Sequence, residues 1–302
     1  MVKLAITGGT GFVGSHLLKA ALASGHRVTA LARRPQSKKE RLTWVEGDLA
    51  DRPAVKRLVE GADAVMHVAG VLNARDQAGF EEGNVGGTLA MLAAATAAGV
   101  RRFVFVSSLA AREPKLSMYG GSKARAEALV QDSGLDWSIV RPPAVYGPGD
   151  RETLELFKMA RIGLMLMPPK GRLSVLHAGD LVRLLLALAD PDAPAKVLIE
   201  PDDGKPGGWT HKSFAAALGR AVGRSPLVLS APAPFLRVAA RADRLLRGMR
   251  AKLTPDRAAY FSHRDWLVDP ARAAPADLWA PQIPTEQGLA ETADWYRAEG
   301  WL

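Results

Sequence analysis

The most constraining feature of the chain is its first glycine cluster, Gly8-Gly9-Thr10-Gly11-Phe12-Val13-Gly14. It follows the apolar run Val2–Thr7 and opens a helical pattern over Gly14–Ala23, in which Leu17, Leu18 and Leu22 share a face. Glycine serves where torsions are unusual, where a phosphate must reach the main chain, and where helix and strand pack closely. The N–H groups and positive dipole end of the following helix favour an anion. The pattern therefore predicts a dinucleotide-binding turn, with all seven residues in the cofactor-binding set.

The first half continues this alternation. Arg27–Ala32, Leu42–Glu46, Ala64–Val68, Arg102–Ser107 and Asp136–Val140 read as strands, and Thr88–Ala98 and Tyr119–Asp132 as helices. Strand–helix alternation predicts an α/β class with a Rossmann-type doubly wound parallel sheet. After Pro142 the texture changes, with Pro142-Pro143 and Gly147-Pro148-Gly149 in close succession. A strand near Leu173–Leu176 and a helix over Gly179–Ala189 still stand out. The expected division is a dinucleotide-binding domain over 1–150 and a smaller, partly interleaved substrate region over 151–302. About 172–190 is expected to return to the first half.

Composition narrows the chemistry. The 302 residues include no cysteine, which excludes disulfides, thiolate metal sites and a cysteine nucleophile and fits a reducing cytosol. The six histidines are scattered and none pairs at i,i+4, so no metal site is expected. Met1 leads into a strand without a signal-peptide pattern, and runs such as Leu184–Ala189 are too short to span a bilayer. A cytoplasmic protein without an integral membrane segment is expected. The net charge of +9 comes with only 6% aromatic residues and no stacking motif, so a nucleic-acid partner is not expected.

One basic stretch needs its own reading. In 235–253, Phe235, Val238, Ala242, Leu245, Leu246, Met249 and Leu253 fall on one helical face, with Arg237, Arg241, Arg244 and Lys252 opposite. Such a helix can lie on a membrane. Packing of the apolar side on the core or over a pocket is the favoured alternative.

Cofactor choice is read at the end of the second strand. NAD enzymes usually place a carboxylate there for the ribose 2′-hydroxyl. Here the sequence is Leu31-Ala32-Arg33-Arg34. Arg33 and Arg34 could hold a 2′-phosphate through charge-assisted hydrogen bonds, or they could be solvated. The first reading makes NADP the expected cofactor and NAD the lesser one. In Gly47-Asp48-Leu49, Asp48 could accept from the adenine amino group or merely close a turn.

Tyr119-Gly-Gly-Ser-Lys123 places a phenol and an ammonium on one helical face. An ammonium and a cationic nicotinamide would lower the phenol from its ordinary value of about 10. Tyr119 could then exchange a proton with a substrate oxygen near neutral pH.

Together these residues resemble the extended branch of the short-chain dehydrogenase/reductase superfamily. The resemblance rests on Thr7–Gly14, Gly47-Asp48-Leu49, His67-Val-Ala-Gly70, Asn84, Ser107-Ser108, Tyr119-x-x-x-Lys123 and Arg141–Pro148. His177-Ala-Gly-Asp180 extends it to about residue 180. It implies that Ser108 binds the substrate oxygen, Tyr119 is the general acid/base, and Lys123 holds the nicotinamide ribose and tunes Tyr119. Ala69 and Gly70 would border the cofactor, and Pro142–Val145 would pass along the nicotinamide amide. Asn84 would be a structural or relay residue. A homodimer is a family-level expectation.

Two departures qualify this. Only ten residues separate Ser108 from Tyr119, and the second half lacks an evident nucleotide-sugar clamp. The expected function is NADP-dependent hydride transfer to or from a carbonyl or secondary alcohol of a hydrophobic small molecule. Leu164-Met165-Leu166-Met167-Pro168 would line its pocket or belong to the core. The alternatives are a nucleotide-sugar epimerase or dehydratase that retains NAD, and a non-catalytic dinucleotide-binding protein.

Overall fold

Residues 1–168, 171–230, 256, 259–260 and 263–302 are described in the structure, a computed structural model. The basic stretch 235–253 lies outside the described residues. The chain forms two compact units. One comprises Met1–Pro142, Leu181–Glu200 and Arg272–Ala280, and the other Pro143–Asp180, Pro201–Ala271 and Pro281–Leu302.

In the first unit, β1 (Lys3–Thr7), β2 (Arg27–Ala32), β3 (Leu42–Glu46), β4 (Ala64–His67), β5 (Arg102–Val106), β6 (Asp136–Val140) and β11 (Val197–Ile199) build one sheet. Its order is β11-β6-β5-β4-β1-β2-β3, and every neighbouring pair is parallel. The strand β4 and its neighbour β5 are buried along their whole length, as a sheet covered on both faces requires. The helices are α1 (Phe12–Ala23), α2 (Arg52–Val59), α3 (Gln77–Phe80), α4 (Gly87–Ala97) and α5 (Met118–Gln131). Val55, Leu58, Met91, Ala95, Ala126 and Val130 from these helices pack with Val65, Phe103, Phe105 and Ile139 of the sheet. The Asp51 side chain accepts from Ala54 N–H to start α2, and Ser117 accepts from Gly120 N–H to start α5.

The elements of this unit not read from the sequence include α2, α3, β11 and a π-helical turn. The strand β11 is three residues long, too short for a periodic signal. A π-helical turn over Glu81–Gly86 joins α3 to α4 and carries the buried Asn84.

The second unit contains β7 (Ala144–Tyr146), β8 (Leu164–Met167), β9 (Arg172–Leu173), β10 (Val175–His177), β12 (Trp209–Thr210), β13 (Leu227–Ser230) and β14 (Asp265–Trp266). Its helices α6 (Leu154–Arg161), α8 (His211–Ala221) and α9 (Thr285–Ala298) pack Phe157, Phe214, Leu218, Leu289 and Tyr296 into one core. The helix α7 (Ala178–Leu188) starts in a segment of this unit and continues in a segment of the first. The single strand expected near Leu173–Leu176 is two strands. Its first part, β9, pairs with β12 and β14, while β10 pairs with β7. The change of partner falls at Ser174, whose buried hydroxyl donates to Asp202 at 2.8 Å. Asp180 accepts from the N–H groups of Gln282 and Ile283, a structural role. In β8, Met165 and Met167 enter the core while Leu164 and Leu166 face outward. Among the described residues no helix is long and apolar enough to cross a membrane.

Candidate functional site

Parallel strands put their carboxyl ends on one edge, where open α/β sheets take their ligands. Gly8, Arg33-Arg34, Gly47-Asp48-Leu49, Ala69-Gly70, Ser107-Ser108 and Pro142 follow the ends of β1 to β6 in turn. Short backbone bonds tie these loops together. Gly47 N–H donates to Ala32 O at 3.0 Å, and Leu109 N–H to Pro142 O at 3.0 Å. Val145 lies on β7, in the second unit.

The glycine turn is closely fitted. Gly8 has φ +73°, and a Cβ there would lie 2.7 Å from Ala69 N. A Cβ on Gly14 would lie 2.0 Å from Gly8 O. Only glycine fits either position. Helix α1 begins after Gly11 with no side-chain cap and no acidic residue in its first turn. Its N-terminal N–H groups and dipole thus suit a diphosphate. Arg33 and Arg34 are exposed and make no ion pair among the described residues. Asp48 is exposed, and its Oδ1 accepts from Ala50 N–H at 2.9 Å and Asp51 N–H at 3.1 Å, which closes a turn. Leu49 rests against the start of α4, where a Cβ on Gly87 would meet its Cδ1 at 2.7 Å.

Behind the turn lies a buried chain of hydrogen bonds whose directions follow from one another. Thr88 donates its hydroxyl proton to Asn84 O at 2.6 Å. Its oxygen must therefore accept from His67 Nε2–H, 3.1 Å away. That leaves His67 Nδ1 to accept from the Thr7 hydroxyl at 2.7 Å. The Thr7 oxygen in turn accepts from Ala69 N–H at 3.1 Å. His67 is thus neutral, and burial, followed by the charge of Lys123, holds it down to about 3. Between its ordinary value of 6.5 and about 3, the unfolded chain takes a proton that the native chain refuses. Stability should fall with pH across that window, by up to ~5 kcal/mol from this group. His67→Gln keeps one donor and one acceptor but does not titrate. Urea midpoints measured from pH 7 to pH 4 should decline less steeply in the variant; equal slopes would contradict the assignment.

Ser108, Tyr119 and Lys123 are brought together by β5 and α5. The Ser107 hydroxyl donates to Glu127 at 2.5 Å, which commits it to structure. The Ser108 hydroxyl accepts from Ala110 N–H at 3.2 Å. Lys123 lies one turn beyond Tyr119, with Nζ donating to Val106 O at 2.8 Å and sitting 4.3 Å above the Phe105 ring. A Cβ on Gly70 would be 3.7 Å from that Nζ, which places the lysine beside the loop expected to border the cofactor. The electrostatics differ from the sequence expectation. Burial raises the phenol, Ser108 opposes it, and Lys123 is not among the causes. Burial also holds Lys123 down to about 7, against the pull of Glu127.

Asn84 is fully committed. Its Oδ1 accepts from Val71 N–H at 2.7 Å, and its amide donates to Val71 O at 3.0 Å and Ser122 Oγ at 2.9 Å. Of the two roles considered for it, this geometry supplies the structural one, a clamp between the loop after Gly70 and α5.

Sequence reasoning missed the ion cluster beneath Ser108. Arg141 grips Glu127 through Nε at 2.9 Å and Nη2 at 2.6 Å, and reaches Glu200 through Nη1 at 3.2 Å. The i+4 spacing of Lys123 and Glu127 was readable on α5. Glu200 was not, because only the addition of β11 beside β6 brings it near.

The chain is similar to known NAD(P)-binding proteins. Residues 8–158 match a family model described as NAD(P)H-binding. A ceramide reductase from Caulobacter vibrioides is 37% identical over 99% of this chain and 96% of its own length. A 2-alkyl-3-oxoalkanoate reductase from Stenotrophomonas maltophilia is 32% identical over 56% of this chain and 59% of its own. Among solved structures, the Thermus thermophilus UDP-glucose 4-epimerase complex with NAD has a TM-score of 0.70, with 22% identity. That alignment covers 98% of this chain and 99% of the epimerase.

Proposed function

The chain belongs to the extended short-chain dehydrogenase/reductase superfamily of NAD(P)-binding enzymes, and from that membership we propose an NADP-dependent reductase of an apolar carbonyl compound. The observation that carries the reading is the placement of Tyr119 and Lys123 one turn apart on α5, with Lys123 Nζ donating at 2.8 Å to Val106 O, at the strand end that leads into Ser108. When bound, the cofactor supplies the hydride that adds to the carbonyl carbon. The Ser108 hydroxyl donates a hydrogen bond to the carbonyl oxygen and so fixes its position. Tyr119 passes its phenolic proton to that oxygen as charge develops there, which leaves an alcohol. Lys123 holds the nicotinamide ribose beside Gly70, and the turn Gly8–Gly14 takes the diphosphate. The names of the two reductases support a long-chain lipid ketone, or the corresponding alcohol, as the substrate class.

Arg33 and Arg34 are proposed to bind the 2′-phosphate. Charge-assisted hydrogen bonds contribute roughly 1.5–3 kcal/mol each. Arg33→Ser should therefore weaken NADPH binding by about 10- to 100-fold and leave NADH within about twofold. A fluorescence titration of both cofactors, followed by a panel of long-chain ketones read by cofactor absorbance, tests the whole reading. Equal affinity for NADPH and NADH would remove the arginine assignment. Tightly held NAD together with turnover of a UDP-sugar would replace the reductase by an epimerase.

A further inference from the structure

Among its described residues, the second unit carries an apolar plate that lies outside its core cluster. Strands β8 and β13 pair in parallel, with Leu227 opposite Leu164 and Leu229 opposite Leu166. The alternation of β8 sends Met165 and Met167 inward, and Val228 of β13 packs on the same core. The four leucines are left on the other face, at 43% (Leu164), 40% (Leu166), 63% (Leu227) and 45% (Leu229) exposure. Ile162, just before β8, is 74% exposed and extends the patch. Four leucines on one small ribbon, with Ile162 two residues before it, are not the scattered exposure of an ordinary surface.

Charge says what such a plate can meet. Arg161 and Arg224 stand at the same end of the ribbon, where Leu227 N–H donates to Gly163 O at 2.9 Å. Both arginines are exposed and make no ion pair among the described residues. In sequence, positions 231–255 follow directly on β13 and hold six cationic residues against one aspartate. The chain as a whole has a net charge of +9. Two copies meeting plate to plate would bring like charges together. A surface that is apolar beneath and anionic on top is complementary to both features.

We propose that the β8–β13 face, through Ile162, Leu164, Leu166, Leu227 and Leu229 with Arg161 and Arg224 at its rim, docks the protein on an anionic phospholipid bilayer. The leucines enter the headgroup boundary and the arginines meet lipid phosphates. The face stands independently of the reductase reading. If both hold, docking would bring the enzyme to the phase in which a long-chain lipid ketone resides.

Flotation of the full chain with extruded vesicles tests this. The protein should float with phosphatidylcholine vesicles containing phosphatidylglycerol, and at least tenfold less with phosphatidylcholine alone. The double change Leu227→Glu/Leu229→Glu should reduce flotation at least tenfold while leaving NADPH affinity within about twofold. If that variant loses its cooperative melting transition, Arg161→Glu/Arg224→Glu carries the test and should also reduce flotation. Failure of the wild-type chain to float, flotation unchanged in a folded variant, or a dimer that the leucine change dissociates without any vesicle binding would each overturn the proposal. Flotation by a chain that fails to bind NADPH would support the surface and remove the reductase reading.

Discussion

Replacing Tyr119 with phenylalanine should lower kcat by about three orders of magnitude, within the 10²–10⁴-fold range of a positioned general acid. Cofactor affinity should stay within about twofold. The phenylalanine ring keeps the packing against Phe80, whose ring lies 6.2 Å away, and the helix start capped by Ser117 is untouched. What disappears is the phenolic proton donor. The pH profile sharpens the test. Burial holds the phenol above its ordinary value, so Tyr119 stays protonated through neutral pH and can act as an acid there. Alcohol oxidation needs the phenolate and should climb toward alkaline pH. A limb near pH 7 would belong to Lys123, which burial holds down to about 7. Steady-state kinetics on a ketone accepted by the wild-type chain, with cofactor binding read by fluorescence, decides the matter. A variant retaining more than a tenth of the wild-type kcat would remove Tyr119 from the acid/base role.

What the sequence made legible was local. The turn Gly8–Gly14 announces itself because backbone without a Cβ is needed at fixed offsets, and the structure leaves no room for one on Gly8 or Gly14. The strands β1 to β6 were readable because each is a short apolar run bounded by turn residues. What escaped was non-local. His67 sits in a strand-end motif, yet its tautomer is set by Thr7 and Thr88, which lie on other elements of the first unit. The sign of the Tyr119 shift escaped for a related reason. Spacing shows that Tyr119 and Lys123 share a helical face, but not that burial outweighs the neighbouring charge. The stretch near Leu173–Leu176 reads as one strand because its apolar pattern is continuous. The exchange of partners at Ser174 is a property of the fold around it.

Removal of the guanidinium at position 141 should be the most damaging single change to stability. In Arg141→Met the native state should lose about 3–5 kcal/mol, the range for breaking a buried ion pair by deleting one partner. Glu127 and Glu200 have side chains 4% and 0% exposed, so neither can turn to water. Burial alone would lower the Arg141 guanidinium, but its bonds to Glu127 and Glu200 hold it above its ordinary value. Without it, Glu127 keeps the Ser107 hydroxyl, and Glu200 keeps Arg112 and Arg272 at 3.9 Å, both longer than a hydrogen bond. The drop in melting temperature should be about 10 °C, at roughly 2–4 °C per kcal/mol for a chain of this size. Arg141→Lys should recover only part of the loss, because an ammonium cannot grip Glu127 with two parallel bonds. Glu127→Gln combined with Arg141→Met should be less damaging than the sum of the two single changes, since each removes the charge that the other strands. The cluster also lies directly beneath the proposed site, with Glu127 holding Ser107, the neighbour of Ser108. Arg141→Met should therefore lower kcat at temperatures where the chain is still folded, whereas a remote destabilising change would not. Urea unfolding of the three variants measures the first effect, and kinetics well below the melting transition measures the second. A loss under 1 kcal/mol in Arg141→Met would show that Arg112 and Arg272 close on Glu200 and that the cluster is redundant.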